Sequence, residues 1–174
     1  MFGLFSSRAK RKKIAAAIYR HCVEQARMPV FYESLWVPDT LDGRFSMVCL
    51  HVCLAVDRLY RCAAPCDELG QAVFDVMFTD MEDNLREHGI GDLSVPRHMK
   101  RMMQRYNGFQ HACSQGLRDG DNERLRDVIK RNIYGACKDK ADIDETLMDQ
   151  MCDYLRRCEY ALIQQDDSAV GNGH

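Results

Sequence analysis

Residues 41–62 read LDGRFSMVCLHVCLAVDRLYRC, and this stretch decides the fold. Apolar side chains would cover nearly every side of a helix formed by this sequence, which is typical of a helix at the centre of a domain. Just before it, Pro38 restricts Val37 to an extended or turning conformation, and Thr40 or Asp42 can cap the helix. We therefore predict a buried central helix over about 41–62. Three residues are assigned a structural role at its start: Pro38, Asp39 and Gly43.

Three polar side chains interrupt the central helix at a regular interval. Arg44, His51 and Arg58 are seven residues apart, so they form one stripe with two turns between neighbours. In one interpretation, Arg44 and His51 belong to a buried polar network, with Asp80 of the next helix as the partner of Arg44, because an unpaired buried carboxylate is costly. In the other interpretation, the helix is the floor of a groove and the three side chains reach a partner protein.

Helical periodicity continues on both sides of the central helix, and no alternating strand pattern is convincing. The spacing of apolar residues predicts five further helices, at about 14–28, 67–88, 94–116, 121–134 and 142–163. Pro65 is expected to break the chain, and Asp142 with Glu145 to cap the last helix. The prediction is an all-α fold, a single compact domain of about six helices around the central one. Its expected parts are a basic segment (1–13), the helical domain (14–163) and a flexible polar tail (164–174).

The short connections also carry structural expectations. An aromatic connector, 31–36, is predicted between the first helix and the central helix. Gly89 is well placed to end the helix at 67–88, since glycine readily adopts the left-handed conformation found there. Gly91 and Asp92 are expected to fix the loop that follows, which could also serve as a docking edge.

The composition excludes several classes of protein. No apolar run approaches the eighteen or so residues that a membrane-spanning helix needs, and no secretory signal is present. Nine cysteines are scattered along the chain without a CxxC motif. This odd, irregular set favours free thiols in a reducing compartment over a disulfide framework or a zinc site.

The charge of the chain is unevenly distributed. Residues 1–23 contain six basic residues and no acidic one, whereas the chain as a whole has a net charge of −2. Such a basic start either contacts an anionic partner, such as lipid headgroups or RNA, or is simply a solvated part of a helix. The candidates for membrane or ribosome contact are Arg8, Lys10, Arg11, Lys12 and Lys13.

No catalytic motif accompanies these features. Phosphate-binding loops, nucleophile elbows, dinucleotide fingerprints and HExxH are all absent from the sequence. Methionine is abundant, and Met99, Met102 and Met103 alternate with Arg97 and Lys100 on the helix predicted at 94–116. This arrangement is consistent with a pliable surface for variable partners, or with an ordinary methionine-containing core.

Three stretches together resemble a known family. They are VPDTLDGRFSMVCLH (37–51), QAVFDVMFTDMEDNLRE (71–87) and GIGDLSVPRHMKRM (89–102). In this order and spacing they are similar to the ubiquinol–cytochrome c chaperone family, and the resemblance extends over roughly 15–160. The strings VPDT-x-DGRF and LRE-x-G-x-GDLSVP are its most specific parts.

The resemblance implies a non-enzymatic assembly factor that binds newly made cytochrome b. Members of the family act, in mitochondria, beside the ribosome with a small second subunit. No catalytic residue, metal, cofactor or small-molecule substrate is therefore expected. The contact candidates for the client are Arg44, His51, Arg58, Arg97, Met99, Lys100, Met102 and Met103, and the structural candidates, besides those already named, are Asp80, Gly89, Gly91 and Asp92.

Two locations and two further functions remain open. Because the family resemblance begins almost at residue 15, we expect a bacterial cytoplasmic protein that is peripheral to the inner membrane, with the mitochondrial matrix as the alternative. The alternative function is a helical adaptor that binds the ribosome, RNA or a membrane surface without a specific cytochrome b client. A metal-dependent helical enzyme is the third possibility, which stoichiometric zinc or iron would support.

Overall fold

Helices form most of the chain. The computed structural model describes residues 2–62, 66–135 and 144–166, and no strand occurs within these ranges. The helices are α1 (Phe2–Ala26), α2 (Pro29–Glu33), α3 (Leu41–Tyr60), α4 (Asp67–Glu87), α5 (Val95–Arg118), α6 (Asn122–Asn132) and α7 (Glu145–Ile163). The all-α prediction is confirmed, with a long helix at each of the six predicted places and the short α2 inside the predicted aromatic connector. The predicted start of the first helix at residue 14 is wrong, because α1 begins at Phe2 and the basic residues 8–13 are part of it.

The central position of α3 follows from its sequence. Its buried residues run almost without interruption from Phe45 to Leu59, and Leu50 and Val52 are completely buried. The helices α1, α4, α5 and α7 all pack against it. A helix that is apolar on nearly every side gains most by contacting neighbours all round, so the other helices arrange themselves about it.

The start of α3 is tightly constructed. The hydroxyl of Thr40 accepts a hydrogen bond from the backbone N–H of Gly43 at 3.1 Å, which caps the helix. A Cβ atom at Gly43 would overlap the carbonyl oxygen of Pro38. The turn that precedes α3 therefore lies directly against the first turn of the helix, and only glycine leaves space for it.

Two further helix boundaries depend on specific residues. Gly89 has a φ of +77° immediately after α4, as expected for a residue that ends a helix. The side chain of Asp144 caps α7 by accepting a hydrogen bond from the N–H of Leu147 at 2.9 Å. The cap predicted at Asp142 lies outside the described residues, as do Pro65, Cys137 and the tail from residue 167.

Candidate partner-binding site

The predicted stripe on α3 is divided between the surface and the interior. Arg44 is exposed, whereas His51 and Arg58 are buried, with 6% and 7% of their surface exposed. Arg44 donates from Nε to Oδ1 of Asp39 at 2.5 Å and from Nη2 to Oδ2 at 3.1 Å. The predicted pair of Arg44 with Asp80 is therefore wrong. Arg44 forms both bonds with the carboxylate of Asp39, which is only five residues away in the chain and lies on the same surface.

Asp80 has a different partner. It is half-buried on α4 and accepts a hydrogen bond from the hydroxyl of Tyr19 on α1 at 2.6 Å. Burial and this contact with the carboxylate raise the pKa of Tyr19, so the phenol stays protonated and remains a donor. The contact joins α1 to α4.

His51 forms a buried polar contact between α3 and α7. Its Nδ1 lies 2.8 Å from the carbonyl oxygen of Met47, which can only accept, so Nδ1 carries the proton. Its Nε2 therefore accepts from the hydroxyl of Tyr154 at 2.6 Å. Phe31 packs edge-on against both rings, with centroids 5.7 Å from His51 and 5.0 Å from Tyr154. The neutral form of His51 is thus fixed in one tautomer.

Acidification should weaken this contact. Burial lowers the pKa of His51 below its ordinary value of 6.5, so the stabilising contribution of neutral His51 is complete above about pH 6.5 and is lost as the pH falls through the lower folded-state pKa. We expect the free energy of unfolding, measured with urea at a series of pH values, to fall in this range by up to about 1.4 kcal/mol per pH unit from this group. His51→Gln should remove that part of the slope.

His111 provides the matched control, since it is an exposed histidine on α5. His111→Gln removes an imidazole from the surface instead of the interior, and its pH profile is the reference for the loss of slope in His51→Gln. If the free energy of unfolding changes with pH equally in the wild type and in His51→Gln, His51 has the same proton affinity in the folded and unfolded chains.

Arg58 binds the end of α7. Its Nε donates to the carbonyl oxygen of Leu162 and its Nη2 to that of Gln165, both at 2.8 Å, while Nη1 contacts the sulfur of Cys62 at 3.0 Å. The last carbonyls of a helix have no partner within the helix and carry partial negative charge, so a buried cation is stabilised there. His51 thus has buried polar contacts, as the first interpretation predicted, but Arg44 lies outside them on the surface, and the second buried member of the stripe is Arg58.

A groove runs beside the same residues. It has a volume of about 580 Å³ and lies between α1 and α7, with residues of α3 between them. Most of its lining is apolar, including Ile18, Leu54, Ala55, Leu59, Ala161 and Leu162. His51 and Arg58 also line it, together with the exposed polar residues His21 and Gln25 of α1. The second interpretation, a groove with the central helix as its floor, therefore matches the geometry at His51 and Arg58.

The candidates on α5 lie at different depths. Arg97 and Lys100 are exposed, Met102 and Met103 are half-buried, and Met99 is 5% exposed. Met99 packs with Leu85 of α4 in a second, smaller core. Met99 is thus buried like an ordinary core residue, and a client at the surface would not reach its side chain directly. Its role in client binding remains a prediction.

The basic residues near the start of the chain belong to α1. Arg8, Lys10, Lys12 and Lys13 are exposed, while Arg11 forms an ion pair with Glu68 of α4. Their role in contact with a membrane or ribosome remains a prediction. No helix in the described part of the chain has both the length and the apolar character that crossing a membrane requires.

Neither the described thiols nor the loop at 89–94 provides a metal site. Within the described ranges, eight cysteines are free, and no cluster of three or more histidine, cysteine or acidic residues could hold a metal ion. Burial raises the pKa of Cys22 and of Cys113 to about 12, which makes them poor nucleophiles and ligands at neutral pH.

The loop at 89–94 has one side-chain contact to α4, between Asp92 and Arg86 at 3.4 Å. A Cβ atom at Gly91 would meet no neighbouring atom, so space does not require glycine there.

The sequence pattern did not single out Tyr154, although a signal was present. Tyr154 is three residues after Met151 and four before Cys158, so the helical period puts it on the inner side of α7. A buried tyrosine hydroxyl needs a hydrogen-bonding partner, and His51 was a candidate, because one interpretation placed it in the interior.

The comparisons with known proteins agree with this architecture. The family model for the ubiquinol-cytochrome C chaperone matches residues 33–174. The chain is similar to ubiquinol-cytochrome-c reductase complex assembly factor 1 of Xenopus laevis, with 23% identity over 148 residues, which cover 85% of this chain and 72% of that protein. It is also similar to the crystal structure of the Cbp3 homolog from Brucella abortus, with a TM-score of 0.83, 30% identity and coverage of 99% and 93% of the two chains. Since the family match spans well over half of its residues, the chain belongs to the ubiquinol-cytochrome c chaperone family.

Proposed function

We propose that this protein binds newly made cytochrome b and holds it, without catalysis, during assembly of ubiquinol-cytochrome c reductase. Membership of the chaperone family and similarity to a reductase assembly factor support an assembly role. The observation that carries the finer proposal is the groove between α1 and α7, because it offers a largely apolar binding surface. Its volume of about 580 Å³ suits several side chains of a client segment.

The lining of the groove favours an apolar client. Leu54, Leu59 and Leu162 provide apolar contacts, and the polar donors of Arg58 are already bonded to carbonyl groups of α7. A bound segment would therefore gain free energy chiefly from burial of its apolar side chains. Cytochrome b is a polytopic membrane protein, and its segments expose such side chains before they are fully assembled.

Other parts of the proposal concern location and additional partners. We place the protein in the bacterial cytoplasm, peripheral to the inner membrane, where a membrane-protein client emerges, with the mitochondrial matrix as the alternative. A small partner subunit and the ribosome are proposed as further contacts. The exposed cations of α1 and the exposed Arg97 and Lys100 of α5 would suit anionic surfaces.

Filling the groove should abolish client capture. Ala161 is exposed on α7 and lines the groove, so Ala161→Trp would occupy its volume while leaving the core intact. We expect cytochrome b, crosslinked to the tagged chaperone during its translation and identified by mass spectrometry, to fall at least about ten-fold, which corresponds to about 1.4 kcal/mol of binding free energy.

Gln150→Trp is the matched control, because Gln150 is exposed on the same helix and does not line the groove. It should leave the yield of crosslinked cytochrome b unchanged. Equal capture by both tryptophan variants would move the client site away from the groove, and complete absence of cytochrome b from the wild-type sample would refute the proposed client.

The exposed cations of α1 favour the alternative function, an adaptor for RNA or a membrane surface. If Lys12 and Lys13 contact phosphates, Lys12→Gln/Lys13→Gln should reduce the slope of log affinity against log salt by about 1.4 for a single-stranded RNA, measured by fluorescence anisotropy. Sedimentation of the wild type and of this double variant with anionic vesicles tests whether the two lysines bind lipid headgroups instead.

The control replaces Lys130 and Arg131, two neighbouring exposed cations on α6, with glutamine. Their replacement removes the same charge from another surface. If both double variants change the slope equally, binding reflects the overall charge of the protein, and α1 has no special role as an anionic contact.

A further inference from the structure

A second and larger groove lies between α1 and α4. Its volume is about 750 Å³, and none of its lining residues also lines the groove between α1 and α7. Arg11 of α1 forms an ion pair with Glu68 of α4. Further along both helices, Tyr19 donates a hydrogen bond to Asp80 at 2.6 Å, so α1 and α4 run in the same direction. The groove is therefore a separate surface, and the client site proposed above does not include it.

The charges of this groove are separated along its length. Its cationic end is lined by three residues of α1: Arg8, Arg11 and Lys12. Its acidic end is lined by three carboxylates of α4: Asp75, Asp80 and Asp83. Lys12 precedes Tyr19, the partner of Asp80, by seven residues, which is about 10 Å along α1. Among the side chains that the structure describes, no ion pair connects the two ends.

The cationic end has side chains that can reach a partner. Arg8 and Lys12 are exposed, and neither has an ion-pair partner among the described side chains. Side chains of this kind can lay their apolar stems along a surface while the charged head extends beyond it. The groove provides such a surface at Ala16, Ala72 and Val76. Arg8 and Lys12 of a neighbouring molecule could therefore cross this apolar floor and reach charges at its far side.

The acidic end keeps its negative charge. Asp75 accepts a hydrogen bond from the side-chain amide of Gln71 at 2.8 Å, and this donor is neutral. Asp83 contacts Arg86 at 3.5 Å, but the same guanidinium contacts Glu82 at 2.8 Å. A neutral donor leaves a carboxylate charged, and one cation does not neutralise two carboxylates. The acidic end is therefore complementary to a pair of cations from outside.

We propose that this groove is an interface between two copies of this chain, related by a twofold axis. A surface with one cationic and one acidic end is self-complementary, because an axis midway between the ends, lying across the line that joins them, places each end on the opposite end of the other copy. Arg8 and Lys12 of each copy then lie over Asp75 and Asp83 of the other. Both sets of contacts form at once, and a second copy carries the matching charges by symmetry.

The dimer should be weak and sensitive to salt. Exposed ion pairs contribute little individually, and the apolar floor consists of small side chains, so we expect a dissociation constant in the micromolar range by sedimentation velocity. Raising the ionic strength from about 0.05 M to about 0.5 M should weaken the dimer about five-fold, because salt screens exposed charges.

Reversing the charge of either end should dissociate the dimer. Arg8→Glu/Lys12→Glu and Asp75→Lys/Asp83→Lys each give the two ends charges of the same sign, and all four residues are exposed. Each variant alone should dimerise at least about ten-fold more weakly than the wild type. An equimolar mixture of the two should recover the wild-type affinity, because every contact in the mixed dimer again joins opposite charges.

Two controls separate this interface from general effects. Lys130→Glu/Arg131→Glu on α6 changes the net charge by the same amount as Arg8→Glu/Lys12→Glu and should leave the dissociation constant unchanged. Ala161→Trp, in the groove between α1 and α7, should also leave it unchanged. Failure of this proposal is thus distinguishable from failure of the proposed function.

Three outcomes would overturn the proposal. The wild type could remain a monomer up to millimolar concentration, which would leave the groove to a different partner. The two charge-reversed variants could dimerise as tightly as the wild type, so that the ends of the groove play no part. Finally, the mixture could dimerise no better than its components, which would show that the cationic end of one copy does not meet the acidic end of the other.

Discussion

Gly43→Ala should destabilise the protein by at least about 2 kcal/mol, although alanine is the better helix former. In an open helical position this substitution would stabilise by about 1 kcal/mol. At Gly43, however, the added Cβ would overlap the carbonyl oxygen of Pro38, which also accepts a hydrogen bond from the N–H of Thr40 at 2.8 Å. Relieving the overlap requires movement of this backbone, and overpacking of that kind costs about 1–3 kcal/mol or more.

Gly108 gives the opposite expectation and serves as the control. It lies within α5, and a Cβ there would meet no atom within 4 Å. Gly108→Ala should therefore stabilise the protein by about 1 kcal/mol. Urea unfolding followed by circular dichroism measures both variants under the same conditions. If the two substitutions shift stability in the same direction, the close approach of Pro38 to α3 does not limit residue 43.

Asp57→Ala should destabilise the protein by about 3 kcal/mol. The side chain of Asp57 is 8% exposed and joins two helices, with Nη2 of Arg61 at 2.5 Å and Nη2 of Arg118, on α5, at 2.7 Å. Removing one member of a buried ion pair leaves charges without partners and costs about 3–5 kcal/mol. We expect the lower end of this range, because Arg118 is half exposed and Arg61 also contacts Glu159 of α7 at 3.0 Å.

Asp153 provides the comparison, since it is an exposed aspartate on α7. Asp153→Ala should change stability by no more than about 0.5 kcal/mol. A double-mutant cycle with Asp57→Ala and Arg61→Met would isolate the energy of their interaction. A coupling energy near zero would mean that the pair of Asp57 with Arg61 contributes nothing to stability, and the effect of Asp57→Ala would then have to come from its contact with Arg118.

The fold could be predicted from local pattern, because burial leaves a periodic trace in the sequence. The apolar residues of α3 cover nearly all of its sides, and this pattern placed it at the centre. Gly89 and Thr40 marked helix boundaries through chemistry that involves only a few neighbouring residues. Such features do not depend on how distant parts of the chain meet.

The site could be predicted only in part, because its contacts join residues that are far apart in the chain. The stripe of Arg44, His51 and Arg58 was visible, and two of these residues do line a groove. Their bonding partners were not visible: Tyr154 lies 103 residues after His51, and Arg58 binds carbonyl groups, which every residue possesses. Arg44 was assigned the wrong partner because periodicity compares helix faces and ignores a nearer carboxylate in the preceding turn.

Two of the polar contacts that hold α7 against the central helix differ in how they respond to acid, so the wall of the groove is not equally sensitive along its length. Arginine remains charged at every physiological pH, so the bonds from Arg58 to the end of α7 persist. The bond between His51 and Tyr154, nearer the middle of α7, depends on a neutral imidazole. In acid, the wall of the groove would therefore loosen at His51, while the carboxyl-terminal end of α7 keeps its bonds to Arg58 and its amino-terminal part keeps the ion pairs of Arg126 with Glu145 and Asp149.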